Sequence, residues 1–221
     1  MTTAEVRRPP AAPAPPVRRA ASGARLAWLH LRSRRVPAAL LALALCGAAL
    51  RAALRWNWTF NSGALAQQVP MIIEAGAAVT VVVTTHSPFG EPERVTGRWL
   101  PYLRLGAVLA MTGLAIGVLQ LAVTGANLSG GAAQLARNII GITGIGLATS
   151  LVTGGLLAWI LPMAYTAFAE YALLEFWRSP WIWPVRPPTD RGAWICATVV
   201  FAAGLLAFTA RGARSRLADD G

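Results

Sequence analysis

Residues 135–176 read LARNIIGITGIGLATSLVTGGLLAWILPMAYTAFAEYALLEF, and this stretch decides the fold. Its only charged residues are Arg137, Glu170 and Glu175. The apolar residues form blocks, not the stripes of period 3.6 or 2 that mark half-buried elements of a soluble domain. At 1.5 Å per residue each half is long enough to cross roughly 30 Å of hydrocarbon. The break between the halves is Gly154-Gly155, so 135–153 and 156–176 are expected to fold as two spanning helices joined in a tight hairpin.

The same pattern extends outward. Apolar blocks at 36–54, 69–85, 105–123 and 192–210 bring the expected count to six spans. Of the 221 residues 55% are hydrophobic and 13% are charged, whereas a soluble domain is about a quarter charged. The expected fold is therefore an all-α, polytopic transmembrane helix bundle occupying 36–210. A basic-flanked or amphipathic interface segment at 24–35 precedes it, and a short tail at 211–221 follows.

The net charge of +11 would point to nucleic acid in a soluble chain. Here the arginines lie in the tails and short loops, where membrane topology accounts for them and no nucleic-acid partner is expected. The N-terminal tail, Arg94, Arg98, Arg104, Arg211, Arg214 and Arg216 fall on one side of the spans. Fewer arginines, Arg55, Arg137, Arg178, Arg186 and Arg191, fall on the other. The richer side is expected to be cytoplasmic, with both termini in. The chain has no Lys, and with abundant Ala and Gly this points to a GC-rich bacterial genome and a multi-pass protein of the bacterial plasma membrane.

Residues 1–23, with Pro9, Pro10, Pro13, Pro15 and Pro16 among Ala and Arg, cannot bury enough surface to offset ordering and are expected to be a disordered cytoplasmic tail. Residues 24–35 place Leu26, Trp28, Leu29 and Leu31 beside Arg25, Arg32, Arg34 and Arg35. They suit either a helix on the membrane surface or a simple basic flank. Ser33-Arg34-Arg35 is followed by Val36 and Pro37, and Leu45 is too large just before Cys46, so neither a twin-arginine nor a lipoprotein export signal is expected. Cys46 and Cys196 each sit within an apolar block and are read as packing residues.

Arg51, Glu74, Arg137 and Glu170 each lie a few residues inside the expected outer ends of their spans. A charge in the hydrocarbon core costs about 2.5–3.5 kcal/mol on the insertion scale, which favours inward-facing pairs. The expected pairs are Arg51 with Glu74 and Arg137 with Glu170. They serve either to hold helices together or to line an outward-facing polar cavity. Gly113 and Gly117, and Gly141, Gly144 and Gly146, allow close helix approach, read first as packing within the subunit.

The loop carrying Glu91, Glu93, Arg94 and Arg98 is the longest charged connection on the cytoplasmic side. It reads equally as a docking element for a soluble partner or a solvated connector. Between the last two spans, Trp177, Trp181 and Trp183 stand among prolines. This segment is too apolar for free solution and too broken to span, so it is expected to dip into the outer interface. There is no phosphate-binding loop ending in Gly-Lys, no His-Glu-x-x-His helix and no Gly-x-Ser-x-Gly elbow. The chain is expected to hold no metal or cofactor and to have no catalytic residue.

In arrangement the chain resembles the membrane subunits of ABC-2-type transporters, in particular small permease-like proteins of actinobacteria. The resemblance rests on six spans, a surface element at 24–35, a coupling element at 91–100 and a re-entrant element at 177–187. It implies an ABC transporter permease that works with a second permease half and a separate cytoplasmic ATPase subunit, with the lipid bilayer as its medium. Two other classes stay open: a membrane scaffold, and a small intramembrane enzyme using Glu74 and Glu170.

Overall fold

The computed structural model describes residues 36–56, 67–85, 100–125, 131–177 and 179–211. The expected tail, the 24–35 segment and the loop with Glu91, Glu93, Arg94 and Arg98 lie outside them. The described residues form six helices: α1 (Val36–Arg55), α2 (Gln68–Thr85), α3 (Leu100–Ala122), α4 (Gly131–Thr153), α5 (Ile160–Leu174) and α6 (Arg191–Arg211). Short 3-10 turns at Gly155–Leu157 and Trp183–Val185 punctuate the last two connections. The fold is all-helical, with no strand among the described residues.

Proline and glycine mark the helix ends. Pro37, Pro70, Pro101 and Pro162 each fall in the first turn of a helix, where a missing N–H leaves no helical bond unmade. Gly154 ends α4 at φ 81°, a left-handed conformation open to glycine at little cost. The hairpin expected there is present. The chain leaves Gly154 through the 3-10 turn and α5 itself begins only at Ile160. At its far end α5 stops at Leu174, two residues short of the expected boundary, because Phe176 takes φ 55°.

Among the described residues five helical stretches are long and apolar enough to cross a membrane: Pro37–Arg55, Arg104–Ala122, Gly131–Thr153, Gly155–Leu174 and Arg191–Arg211. The chain is a multi-pass membrane protein. The α2 helix is apolar but shorter, about 27 Å at 1.5 Å per residue. Leu41, Leu45, Leu121, Val152, Ile195, Val199 and Leu206 are exposed on the outer faces of the bundle, as lipid-facing residues are. Several hydroxyls within the helices are met internally: Thr80, Thr149, Thr166 and Thr198 each donate to the carbonyl four residues back, which removes their need for water, whereas Thr112 Oγ1 and Thr143 Oγ1 are buried without a partner among the described residues.

The centre of the bundle is α4, 67% buried where the other long apolar stretches are 28–33% buried. It packs most extensively on α6 and then on α2, while α1 rests on α2 and α3. Its glycines make this possible. A Cβ on Gly144 would lie 2.5 Å from the Phe201 Cα of α6, and one on Gly146 would lie 2.6 Å from Val82 Cγ2 of α2. Close approach at Gly141, Gly144 and Gly146 thus holds, each glycine receiving a different neighbour. Gly113 and Gly117 differ, since an added Cβ would meet nothing within 4 Å at either.

Candidate polar site at the head of α4

Gln134, Arg137 and Asn138 occupy positions i, i+3 and i+4 of α4 and therefore share one face. All three are buried, Arg137 completely. Three polar residues in an apolar helix are tolerated only where each finds a partner. Gln134 Nε2 donates to Pro184 O at 2.8 Å. Arg137 Nη1 donates to Pro187 O at 2.7 Å and Nη2 to Arg186 O at 2.8 Å. Asn138 Nδ2 turns the other way and donates to Glu74 Oε2 at 2.7 Å.

The acceptors of Gln134 and Arg137 belong to the Pro-rich connection between α5 and α6. Proline supplies a carbonyl but no N–H, so this segment has an excess of acceptors and side chains must meet them. Tyr165 and Trp194 complete the set: the Tyr165 hydroxyl donates to Trp181 O at 2.8 Å and Trp194 Nε1 to Pro188 O at 2.9 Å. Ile182, Trp183 and Pro184 are buried. The Trp183 indole lies over Gly141, where a Cβ would come within 2.6 Å of it, and its ring centroid is 4.7 Å from that of Tyr165. The middle of the segment packs against α4 and α5.

The three tryptophans of the segment do not share one environment. Trp183 is buried, whereas Trp177 and Trp181 are about half exposed. Phe168 stacks on Trp181 with centroids 5.4 Å apart and an interplanar angle of 17°, and lies 5.9 Å from Trp177. Asp190 closes the segment. It caps α6 through Oδ1, which accepts from the Ala193 N–H at 3.1 Å, and its Oδ2 pairs with Arg186. The Ala193 N–H, together with the Arg186 guanidinium, holds the Asp190 carboxyl below its usual range.

The two expected ion pairs are absent among the described residues. Glu74 is held by Asn138, and Arg51 Nη1 donates to Ala122 O at 3.2 Å and Thr124 O at 3.4 Å at the end of α3. Arg137 is taken by the connecting segment, and Glu170 Oε1 is buried without a partner. The reason is orientation: Arg137 and Asn138 are about 100° apart on the helix, so it is the neutral amide that faces α2. Carbonyl groups collected at helix ends and at prolines can accept a guanidinium's hydrogen bonds in place of a carboxylate.

Gln134 and Asn138 escaped the sequence reading, which followed formal charge alone. The signal was present as an i, i+3, i+4 polar triplet opening an otherwise apolar helix. Three buried polar atoms in this region have no protein partner: Arg137 Nε, Asn138 Oδ1 and Trp183 Nε1. Among the described residues no three His, Cys, Asp or Glu side chains gather to hold a metal ion. Compared with protein-family models, curated proteins and solved structures, the chain matches none.

Proposed function

We propose that the chain is a permease subunit of an ATP-driven, ABC-2-like transporter of the bacterial plasma membrane. It spans six times with both termini in the cytoplasm, α2 crossing as a short span. A second permease half completes the pathway, and ATP is hydrolysed by a separate cytoplasmic subunit docked on the loop with Glu91, Glu93, Arg94 and Arg98.

The observation that supports this reading is the buried polar face of α4 covered by the Pro-rich α5–α6 connection. A bundle held together only by packing gains nothing from a buried guanidinium, whose desolvation is costly. Placed at one end of the bundle with unmet donors and acceptors, these residues suit a pathway that opens by movement of the 177–187 segment. The intramembrane-enzyme reading would use Glu74 with Glu170, but Glu74 is engaged with Asn138.

Gentle purification from the native membrane tests the proposal. A nucleotide-hydrolysing partner should co-purify with the chain and be lost on combined charge reversal at Glu91, Glu93 and Arg94. Recovery of the chain without an ATPase in several mild detergents would overturn it.

A further inference from the structure

We propose that Glu74 and Asn138 form a proton-binding site, in which the Glu74 carboxyl alternates between an ionised state and a neutral one. In the ionised state it accepts from Asn138 Nδ2. In the neutral state it donates to Asn138 Oδ1.

Three features of the geometry carry this. First, Glu74 is 3% exposed, and its one hydrogen bond among the described residues comes from a neutral amide. A salt-bridged carboxylate that takes up a proton abandons a cation; Glu74 abandons none. Second, the hydrogen bonds of Arg137 do not involve Glu74, since Arg186 O and Pro187 O accept from its two terminal nitrogens. Third, Asn138 Oδ1 is buried and unpartnered. The amide oxygen and nitrogen are nearly isosteric, and a half-turn of the amide exchanges them. The spare acceptor thereby becomes the partner of a protonated carboxyl. The pair keeps one hydrogen bond across it in both protonation states.

The surrounding groups leave this exchange to Glu74. On α1, Arg51 is committed to Ala122 O and Thr124 O. The titratable residues described on α3, Tyr102 and Arg104, belong to its first turn, at the end away from Thr124. On α5, the Tyr165 hydroxyl is engaged with Trp181 O, and Glu170 has a buried, unpartnered oxygen of its own. Gln134, Arg137 and Asn138 form a polar face from the first turns of α4 down to Glu74, which lies in the second turn of α2. The step is a simple transfer: a proton from water at that end of the bundle binds a Glu74 oxygen, the carboxylate becomes a carboxylic acid, and the amide turns. The site rests on this geometry alone and stands whether or not an ATPase drives the chain.

Infrared difference spectroscopy of the full chain in lipid vesicles, acid minus neutral, tests it. The expected result is a carboxylic C=O band that is lost in Glu74→Gln, retained in Glu170→Gln, and moved to higher frequency in Asn138→Leu, where the acceptor is gone. A band that survives in Glu74→Gln would overturn the proposal. If Glu74→Gln does not fold, Asn138→Leu decides alone: an unshifted band would show that the titrating carboxyl does not touch Asn138.

Discussion

Asn138 donates to Glu74 across 2.7 Å, while Arg137, its neighbour in the chain, is turned away to the carbonyls of Arg186 and Pro187. One helical step separates a residue that serves the bundle interior from one that pins a connecting segment. The head of α4 therefore joins α2 to the 177–187 region.

Removing one side of the Glu74–Asn138 contact strands the other in the interior. Asn138→Leu is expected to lower stability by about 1–3 kcal/mol, the cost of an unsatisfied buried polar group. The double replacement Glu74→Leu, Asn138→Leu is expected to lose less than the sum of the single changes. Thermal denaturation in detergent across the four proteins gives the coupling; strict additivity would mean that the two side chains do not interact.

Arg137 makes two charge-assisted hydrogen bonds that hold the Pro-rich segment down. In a Cys46→Ser, Cys196→Ser background, a cysteine replacing the fully buried Ile182 reports on that segment. Arg137→Ala should raise its maleimide labelling rate more than about 10-fold, since each lost bond contributes roughly 1.5–3 kcal/mol against local opening. Equal labelling rates would show that the segment is held by its apolar contacts.

The glycines separate into two classes. Gly144→Ala drives a methyl group into the α6 backbone at Phe201 and is expected to cost about 1–3 kcal/mol through overpacking. Gly113→Ala meets nothing within 4 Å and is expected to stabilise α3 by about 0.5–1 kcal/mol through helix propensity. Melting temperatures that move in the same direction for both would contradict the observed crossing.

Phe176 holds the left-handed position after α5, where the Trp177 N–H donates to Ala172 O at 3.0 Å. This is the geometry of a helix C-terminal cap that glycine usually fills. Phe176→Gly is expected to stabilise the protein by about 1 kcal/mol by relieving the steric clash of a side chain there. A drop in melting temperature would mean that the exposed ring contributes more through the membrane interface than its backbone costs.

Asp190 provides a pH signature outside the spans. Its carboxyl is held below the usual value of 3.8 by the Ala193 N–H and by Arg186. A group depressed in the folded state stabilises it above the unfolded pKa, and that contribution is lost as pH falls through the lower, folded value. The melting temperature should therefore fall on acidification below about pH 4. Asp190→Asn, which can still cap α6 but carries no charge, should flatten that limb. An unchanged acid limb would remove Asp190 from the account.

Much of this architecture is legible in the chain. The apolar blocks placed α1, α2, α4 and α6 to within a few residues, and Gly154-Gly155 marked the hairpin. The boundaries of α5 were misjudged because a 3-10 turn and a left-handed Phe176 interrupt an apolar run that carries no sequence break. The polar site was half legible: Glu74 and Arg137 stand out as charges, while Gln134 and Asn138 are neutral and pass unnoticed beside them.

The sequence by itself determined the all-helical class, the membrane setting and the helix order, because hydrophobic length and helix breakers act locally along the chain. Only the tertiary structure decided which side chain meets which. Whether Glu74 faces an arginine or an amide depends on the rotation of α4 about its axis, and that rotation is set by Gly141, Gly144 and Gly146 receiving Trp183, α6 and α2. Charge predicts that a buried group needs a partner. Packing chooses the partner, since the backbone carbonyls and neutral amides that can serve are present everywhere in the sequence and carry no mark until the helices cross.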